Sequence, residues 1–148
     1  MRRIPINLIL VVGLAGAIAC QAEAIAGMKI IKTGDNYKIH AATQADPKQP
    51  SKGSLAVVIE PTGGWKMDRE KGPAGISLEP PKAIGLTKKD WKKTDAKWEA
   101  GGKKIRFDIP YSLTGKGPYP LKMKFRFVVC TDQLCQMKRF ELTHQLGD

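Results

Sequence analysis

Two stretches of this sequence alternate apolar and charged residues, and a period of two is the signature of a half-buried β-strand. In Ile105-Arg106-Phe107-Asp108-Ile109 the odd positions are apolar and the even ones charged. Leu121, Met123, Phe125, Phe127 and Val129 alternate in the same way with Lys122, Lys124 and Arg126. Successive side chains of a strand point to opposite faces, so each stretch has one face buried and one in water. The strands so marked run from Lys103 to Ile109 and from Leu121 to Cys130. Tyr37 to Thr43, Leu55 to Glu60, Gly75 to Glu79 and Gln136 to Gln145 are further strand candidates, short, rich in β-branched or aromatic residues and bounded by turn formers. Met28 to Lys32 adds an edge strand. Asp46 to Gly53 and Thr114 to Pro120 read as loops, and no segment longer than a turn or two shows helical periodicity. Six or seven short strands predict an all-β fold, an immunoglobulin-like antiparallel β-sandwich.

The N-terminus reads as an address. Met1-Arg2-Arg3 is a basic start, Leu8 to Ala19 is apolar, and Ala22-Glu23-Ala24 offers a small-x-small cleavage site. The apolar run is shorter than the roughly 20 residues of a membrane span. We therefore expect a signal peptide over residues 1–24 and one domain over residues 25–148. Ala17-Ile18-Ala19-Cys20 also resembles a lipobox, with alanine where leucine is usual, so the alternative is a lipoprotein signal ending before Cys20. In that case lipidated Cys20 would anchor the chain to a membrane. Either leader predicts a periplasmic or cell-envelope location, where disulfides form and persist.

Composition excludes several classes. The chain has 148 residues, 42% of them apolar, with 15 Gly and 10 Pro. These values rule out intrinsic disorder, a collagen-like repeat, a polytopic membrane protein and a large enzyme with separate cofactor and substrate domains. With 25 Lys+Arg against 14 Asp+Glu the formal charge is +11. Lys88-Lys89-Asp90-Trp91-Lys92-Lys93 interleaves lysines with an aromatic, a pattern that in other settings binds single-stranded nucleic acid. An exported chain meets no nucleic acid, and the plainer expectation is a solvated loop whose Trp91 and Trp98 pack inward.

Cys130 and Cys135 are the two cysteines outside the leader, with Thr131-Asp132-Gln133-Leu134 between them at the junction of two predicted strands. Read as a hairpin that sets Cys130 opposite Cys135, the register also pairs Phe125 with Phe140, Met123 with Leu142, Val128 with Met137 and Lys124 with Glu141, all favourable. It opposes Arg126 to Arg139, which is not. Directly opposed residues lie within the span of a disulfide. Cys130 is in phase with Lys122, Lys124 and Arg126, so it should sit off the core face. The residues alone leave three uses open: a redox-active pair, a structural staple or a metal clip. Closing so short a loop stabilises by only about 2 kcal/mol in the chain-entropy model. Bridges between neighbouring strands are also the labile kind when strained or exposed.

Val128-Val129-Cys130-Thr131-Asp132-Gln133-Leu134-Cys135 resembles the redox segment of the N-terminal periplasmic domain of the thiol:disulfide interchange protein DsbD. Pro61-Thr62-Gly63-Gly64-Trp65, Ile84-Gly85-Leu86 with Asp90-Trp91, and Phe107-Asp108-Ile109-Pro110 are similar to further segments of that domain. The family often has prolines just after the second cysteine and one more residue between the pair, unlike this chain. The resemblance implies an immunoglobulin-like domain that exchanges thiols and disulfides with thioredoxin-like periplasmic proteins. Its electrons would come from a separate membrane electron donor. It further implies that Cys135 forms the mixed disulfide, that Cys130 resolves it, and that an aromatic caps the pair. Trp91 is the candidate cap by position, with Asp90 as its acidic neighbour.

Other chemistry finds less support. His40 and His144 are far apart in sequence, so a histidine zinc site is not expected. Cu(I) prefers thiolate and thioether ligands. Cys130, Cys135 and Met137 form a compact soft set, with Met67 or Met123 as possible additions, and carry the alternative of a noncatalytic copper-binding or protein-binding envelope module. Lys138 and Arg139 follow Cys135 closely enough to favour its thiolate, or are simply the wet face of a strand. No phosphate loop, nucleophile elbow or other cofactor motif is present.

Overall fold

The computed structural model describes residues 27–99, 101 and 103–147. The leader expected over residues 1–24, including Cys20, lies outside them. Ten strands follow in order: β1 (Lys29–Thr33), β2 (Tyr37–Ala45), β3 (Lys52–Pro61), β4 (Ala74–Glu79), β5 (Ile84–Leu86), β6 (Asp90–Lys92), β7 (Lys97–Glu99), β8 (Lys104–Leu113), β9 (Tyr119–Cys130) and β10 (Cys135–Leu146). One 3-10 turn, Lys93–Asp95, separates β6 from β7.

All pairings are antiparallel and fall into two sheets. One runs β1-β2-β3-β8-β5, with β7 also pairing with β8; the other runs β10-β9-β4-β6. In immunoglobulin lettering β2, β3 and β8 take the places of A, B and E, while β4, β9 and β10 take those of C, F and G. The D edge is broken in two. β7 covers the start of β8 and β5 its end, with β6 inserted between them in sequence to extend the other sheet.

Both alternating stretches behave as expected. Ile105, Phe107 and Ile109 of β8 are fully buried, as are Leu121, Met123, Phe127 and Val129 of β9, with Phe125 nearly so. Lys122, Lys124 and Arg126 are exposed on the opposite face of β9. Inward residues of the two sheets form one continuous core. Along the β2–β10 side four aromatics tie the sheets together. Tyr37 meets Phe127 edge-on at 5.1 Å and stacks on Phe140 at 5.6 Å, while Phe140 stacks on Phe125 at 5.0 Å.

The sequence underestimated the strand count. β5, β6 and β7 are three residues each, too short for alternation to register, and Asp90–Lys92 and Lys97–Glu99 carry charged flanks around a single tryptophan. Tyr119 and Pro120, expected in a loop, begin β9.

Phe127 is the aromatic around which the two sheets close. Phe127→Ala should cost about 3–5 kcal/mol of folding stability, the range for a fully buried phenylalanine. Urea unfolding would show this as a lower midpoint at unchanged slope; a loss below about 1 kcal/mol would contradict the assignment.

Candidate functional site

The β9–β10 hairpin has the register read from the sequence, with Cys135 opposite Cys130 and Phe140 opposite Phe125. Its turn closes with the Thr131 N–H donating to the Leu134 carbonyl at 2.8 Å. Positions 131 and 134 are therefore a hydrogen-bonded pair. Hydrogen-bonded and non-hydrogen-bonded pairs alternate along an antiparallel ladder, so Cys130 and Cys135 form a non-hydrogen-bonded pair, the kind whose side chains approach more closely. Their Cα atoms are 4.0 Å apart and the two sulfurs are joined in a disulfide.

The backbone of Cys130 is satisfied on its other side. Its N–H donates to the Lys66 carbonyl and its own carbonyl accepts from the Lys66 N–H, both at 2.8 Å. Lys66 thus occupies the place that β4 would fill had it continued this far. Between Lys66 and Ala74 the chain leaves the sheet, and Gly72 returns against Val128 so closely that a Cβ there would lie 2.4 Å from its Cγ2. Gly72 also has φ +69°, which L side chains rarely adopt. Cys130 and Val128 lie off the core face, as their phase requires, yet both are buried, Cys130 at 1% exposure. The expectation that a residue in phase with Lys122, Lys124 and Arg126 would be wet is thereby corrected. Gly72 packs on that face against Val128, and Lys66 flanks Cys130 within the sheet. Cys135, by contrast, is exposed.

Neighbouring contacts hold the hairpin end. Thr131 Oγ1 accepts from the backbone N–H groups of Gln133 and Leu134 at 3.3 and 3.2 Å. Buried Asn36, in the β1–β2 turn, donates from Nδ2 to Gln136 Oε1 at 3.0 Å, and its carbonyl accepts from the Thr62 N–H at 2.9 Å. Three loops are therefore pinned around the pair. Lys66 Nζ reaches Asp132 Oδ1 at 2.8 Å. That hydrogen bond holds the Asp132 carboxyl below its ordinary range and raises the Lys66 ammonium above its own. Leu134 and Met137 stand exposed beside the disulfide, at 49% and 43%.

The remaining sequence candidates separate. Trp91 does not reach the pair. It pairs with Ile76, which pairs with Phe125, and Phe125 is five residues from Cys130, about 17 Å along β9. It is a core residue, its Nε1 donating to the Lys88 carbonyl at 3.3 Å. Asp90 is one residue farther along the ladder and accepts from the Ser77 hydroxyl. Trp98 packs against the core, so both tryptophans of the basic stretch turn inward. Met67 and Met123 are buried in the core, whereas Met137 lies on the same face as Cys135, two residues on. The soft set narrows to Cys130, Cys135 and Met137. Lys138 points the other way, over the Tyr37 ring, and Arg139 shares the face of Cys135 but opposes Arg126. The cation nearest the turn is Lys66, which sequence reasoning missed because its pairing joins residues far apart in the chain.

No family model matches the chain, and no curated protein matches it. Among solved structures it is similar to the GAE domain of GGA2p from Saccharomyces cerevisiae, with TM-score 0.47, 12% identity and coverage of 79% of this chain and 96% of that one. The GAE domain of yeast GGA1 matches with the same TM-score and coverage at 16% identity. No function follows from likeness at this level.

The Lys66–Asp132 pair has a defined pH signature. A carboxyl lowered in the folded state contributes stability above its unfolded pKa and loses it as pH falls through the lowered value. An NMR titration should therefore place Asp132 below ordinary aspartate, and Lys66→Gln should return it to the ordinary range. An unchanged titration in K66Q would contradict the pairing.

Proposed function

We propose that the chain is an exported thiol–disulfide exchange domain working through the Cys130–Cys135 pair, the activity that its resemblance to the DsbD N-terminal domain implies. The observation that carries this reading is the unequal exposure of the two cysteines. Cys135 meets solvent and Cys130 is covered. A staple has no use for that asymmetry, whereas exchange requires one sulfur open to attack and one that resolves. As a staple the bond would add little, because a long paired ladder already closes the hairpin.

In the reduced protein the Cys135 thiolate attacks a partner disulfide, forming a bond between its Sγ and one partner sulfur. The partner's second sulfur leaves as a thiolate and takes up a proton. Cys130 then gives up its proton, attacks Cys135 Sγ and releases the first partner sulfur, which is protonated in turn. The partner gains two electrons and two protons, and the domain is left oxidised. A dithiol protein of the thioredoxin-like class, supplied by a separate membrane electron donor, reverses the sequence. A reactive thiolate is favoured by nearby positive charge. Lys66 is largely neutralised by Asp132, so exposure rather than a strong local field would make Cys135 the reactive sulfur.

Single-cysteine variants test the assignment. Reduced Cys130→Ser, offered a thioredoxin-like protein in its disulfide form, should accumulate a mixed disulfide through Cys135, identified by mass. Cys135→Ser should form it more slowly by on the order of tenfold or more, since its remaining thiol is buried. Equal trapping by the two variants, or none by either, would overturn the reading.

A further inference from the structure

The outer face of the β10-β9-β4-β6 sheet carries a second feature in line with the disulfide. Arg139 opposes Arg126, Arg126 opposes Gly75, and Gly75 opposes Lys92. These four positions form one row across all four strands, on the face that also holds Cys135 and Met137. Like charges directly opposite each other destabilise a ladder. Yet neither arginine nor Lys92 makes an ion pair among the described residues, although acids stand close by. Those acids are engaged elsewhere: Glu141 bonds Lys122 at 2.8 Å, Glu79 bridges Lys122 and Lys124, and Asp90 accepts from Ser77.

At the centre of the row the side chain is missing. Gly75 leaves a gap between Arg126 and Lys92, and a groove of about 920 Å³ opens over it. A Cβ at Gly75 would come within 2.6 Å of the Trp91 carbonyl, so the β4–β6 spacing itself requires glycine here. Two arginines without an ion pair, with Lys92, whose charge also acts on Asp95, lie around an open groove and form a receptor for negative charge. The row spans about 14 Å at ordinary strand spacing and lies four residues, about 13 Å, from Cys135 along β10. An extended chain covers that distance in about four residues.

We propose that this basic row docks an acidic segment of the protein that exchanges with Cys135. The inference rests on the exchange reading above and adds the partner's chemistry: carboxylates about four residues from its reactive cysteine in an extended stretch. Charge complementarity and alignment with Cys135 on one face favour a protein partner over an anionic lipid surface. A lipid surface would have no need of the disulfide beside it.

The test uses three synthetic peptides, each a symmetric disulfide dimer with one cysteine per chain and, four residues away, three glutamates, three glutamines or three lysines. Reduced Cys130→Ser protein attacks each dimer through Cys135. One peptide is retained as a mixed disulfide and the other is released as a thiol and counted. Rates are divided by those of 2-mercaptoethanol, an uncharged thiol, with the same dimers, which removes the intrinsic reactivity of each peptide. At low salt the glutamate peptide should react about tenfold faster than the glutamine peptide, and the lysine peptide slowest. Adding Arg126→Gln and Arg139→Gln should bring the ratio to about one, whereas Lys48→Gln with Lys52→Gln, an equal charge change in the β2–β3 loop and at the start of β3, should preserve it. Raising salt to 1 M should also abolish it, as charges then screen within about 3 Å.

Fast reaction with all three peptides at one rate would overturn the docking proposal and leave exchange standing. Reaction with none would overturn the exchange reading, and this proposal with it. A serine-for-cysteine glutamate peptide should also bind the oxidised protein, with affinity lost in R126Q/R139Q. Binding to phosphatidylglycerol vesicles but not to this peptide would overturn the proposal in favour of a lipid.

Discussion

The hydrogen bond from the Thr131 N–H to the Leu134 carbonyl sets the parity of the longest ladder in the molecule. Once that pair is hydrogen-bonded, every second pair down β9 and β10 alternates in kind, and each side chain is assigned a face. Phe125, Phe127 and Phe140 fall on the inner side, where they meet Tyr37 across the sandwich. Cys130 and Cys135 fall on the outer side at a close-approach position. Arg126 and Arg139 fall on the outer side too, directly opposed. A slip of one residue would send the cysteines toward the core and the aromatics into water, so core, disulfide and basic row are held by the same constraint.

Within that frame the two cysteines differ through one chain excursion. β4 begins only at Ala74, and Lys66 supplies the partners for the backbone groups that Cys130 turns away from β10. The intervening segment returns across Val128, where Gly72 provides the only side chain small enough for the approach. One sulfur is covered and its partner is left at the edge of the sheet beside Leu134 and Met137. This places an apolar fringe next to the exposed sulfur, which the proposed exchange would use for brief contact with its partner.

Local pattern carried much of this in the sequence. The alternation of Leu121 to Val129, the complementarity of Phe125 with Phe140 and Lys124 with Glu141, and the spacing of the cysteines together specified hairpin, register and disulfide. Each is a relation between residues close in sequence or along one ladder. What pattern could not reach was long-range. The pairing of Lys66 with Cys130 joins segments separated in sequence by β4 to β8, and nothing in Trp65-Lys66-Met67 marks it. The resemblance to the DsbD domain marks Trp91 as the cap by position, but pairing with Ile76 puts it in the core. Arg126 opposite Arg139 counted against the register when read alone, and only the row through Gly75 to Lys92 gives that repulsion a use. The three-residue strands β5, β6 and β7 exist because neighbours already in place accept their backbone groups, so their own composition says little about them.

The central claim is that the Cys130–Cys135 bond is made to be exchanged, and its reduction potential tests that most directly. Protein lacking residues 1–24 would be equilibrated in glutathione buffers of graded ratio, its free thiols alkylated and the oxidised fraction read by mass. The account predicts a potential between about −120 and −270 mV, the span of proteins that exchange disulfides. A value below about −300 mV would mark a structural bridge and contradict the account.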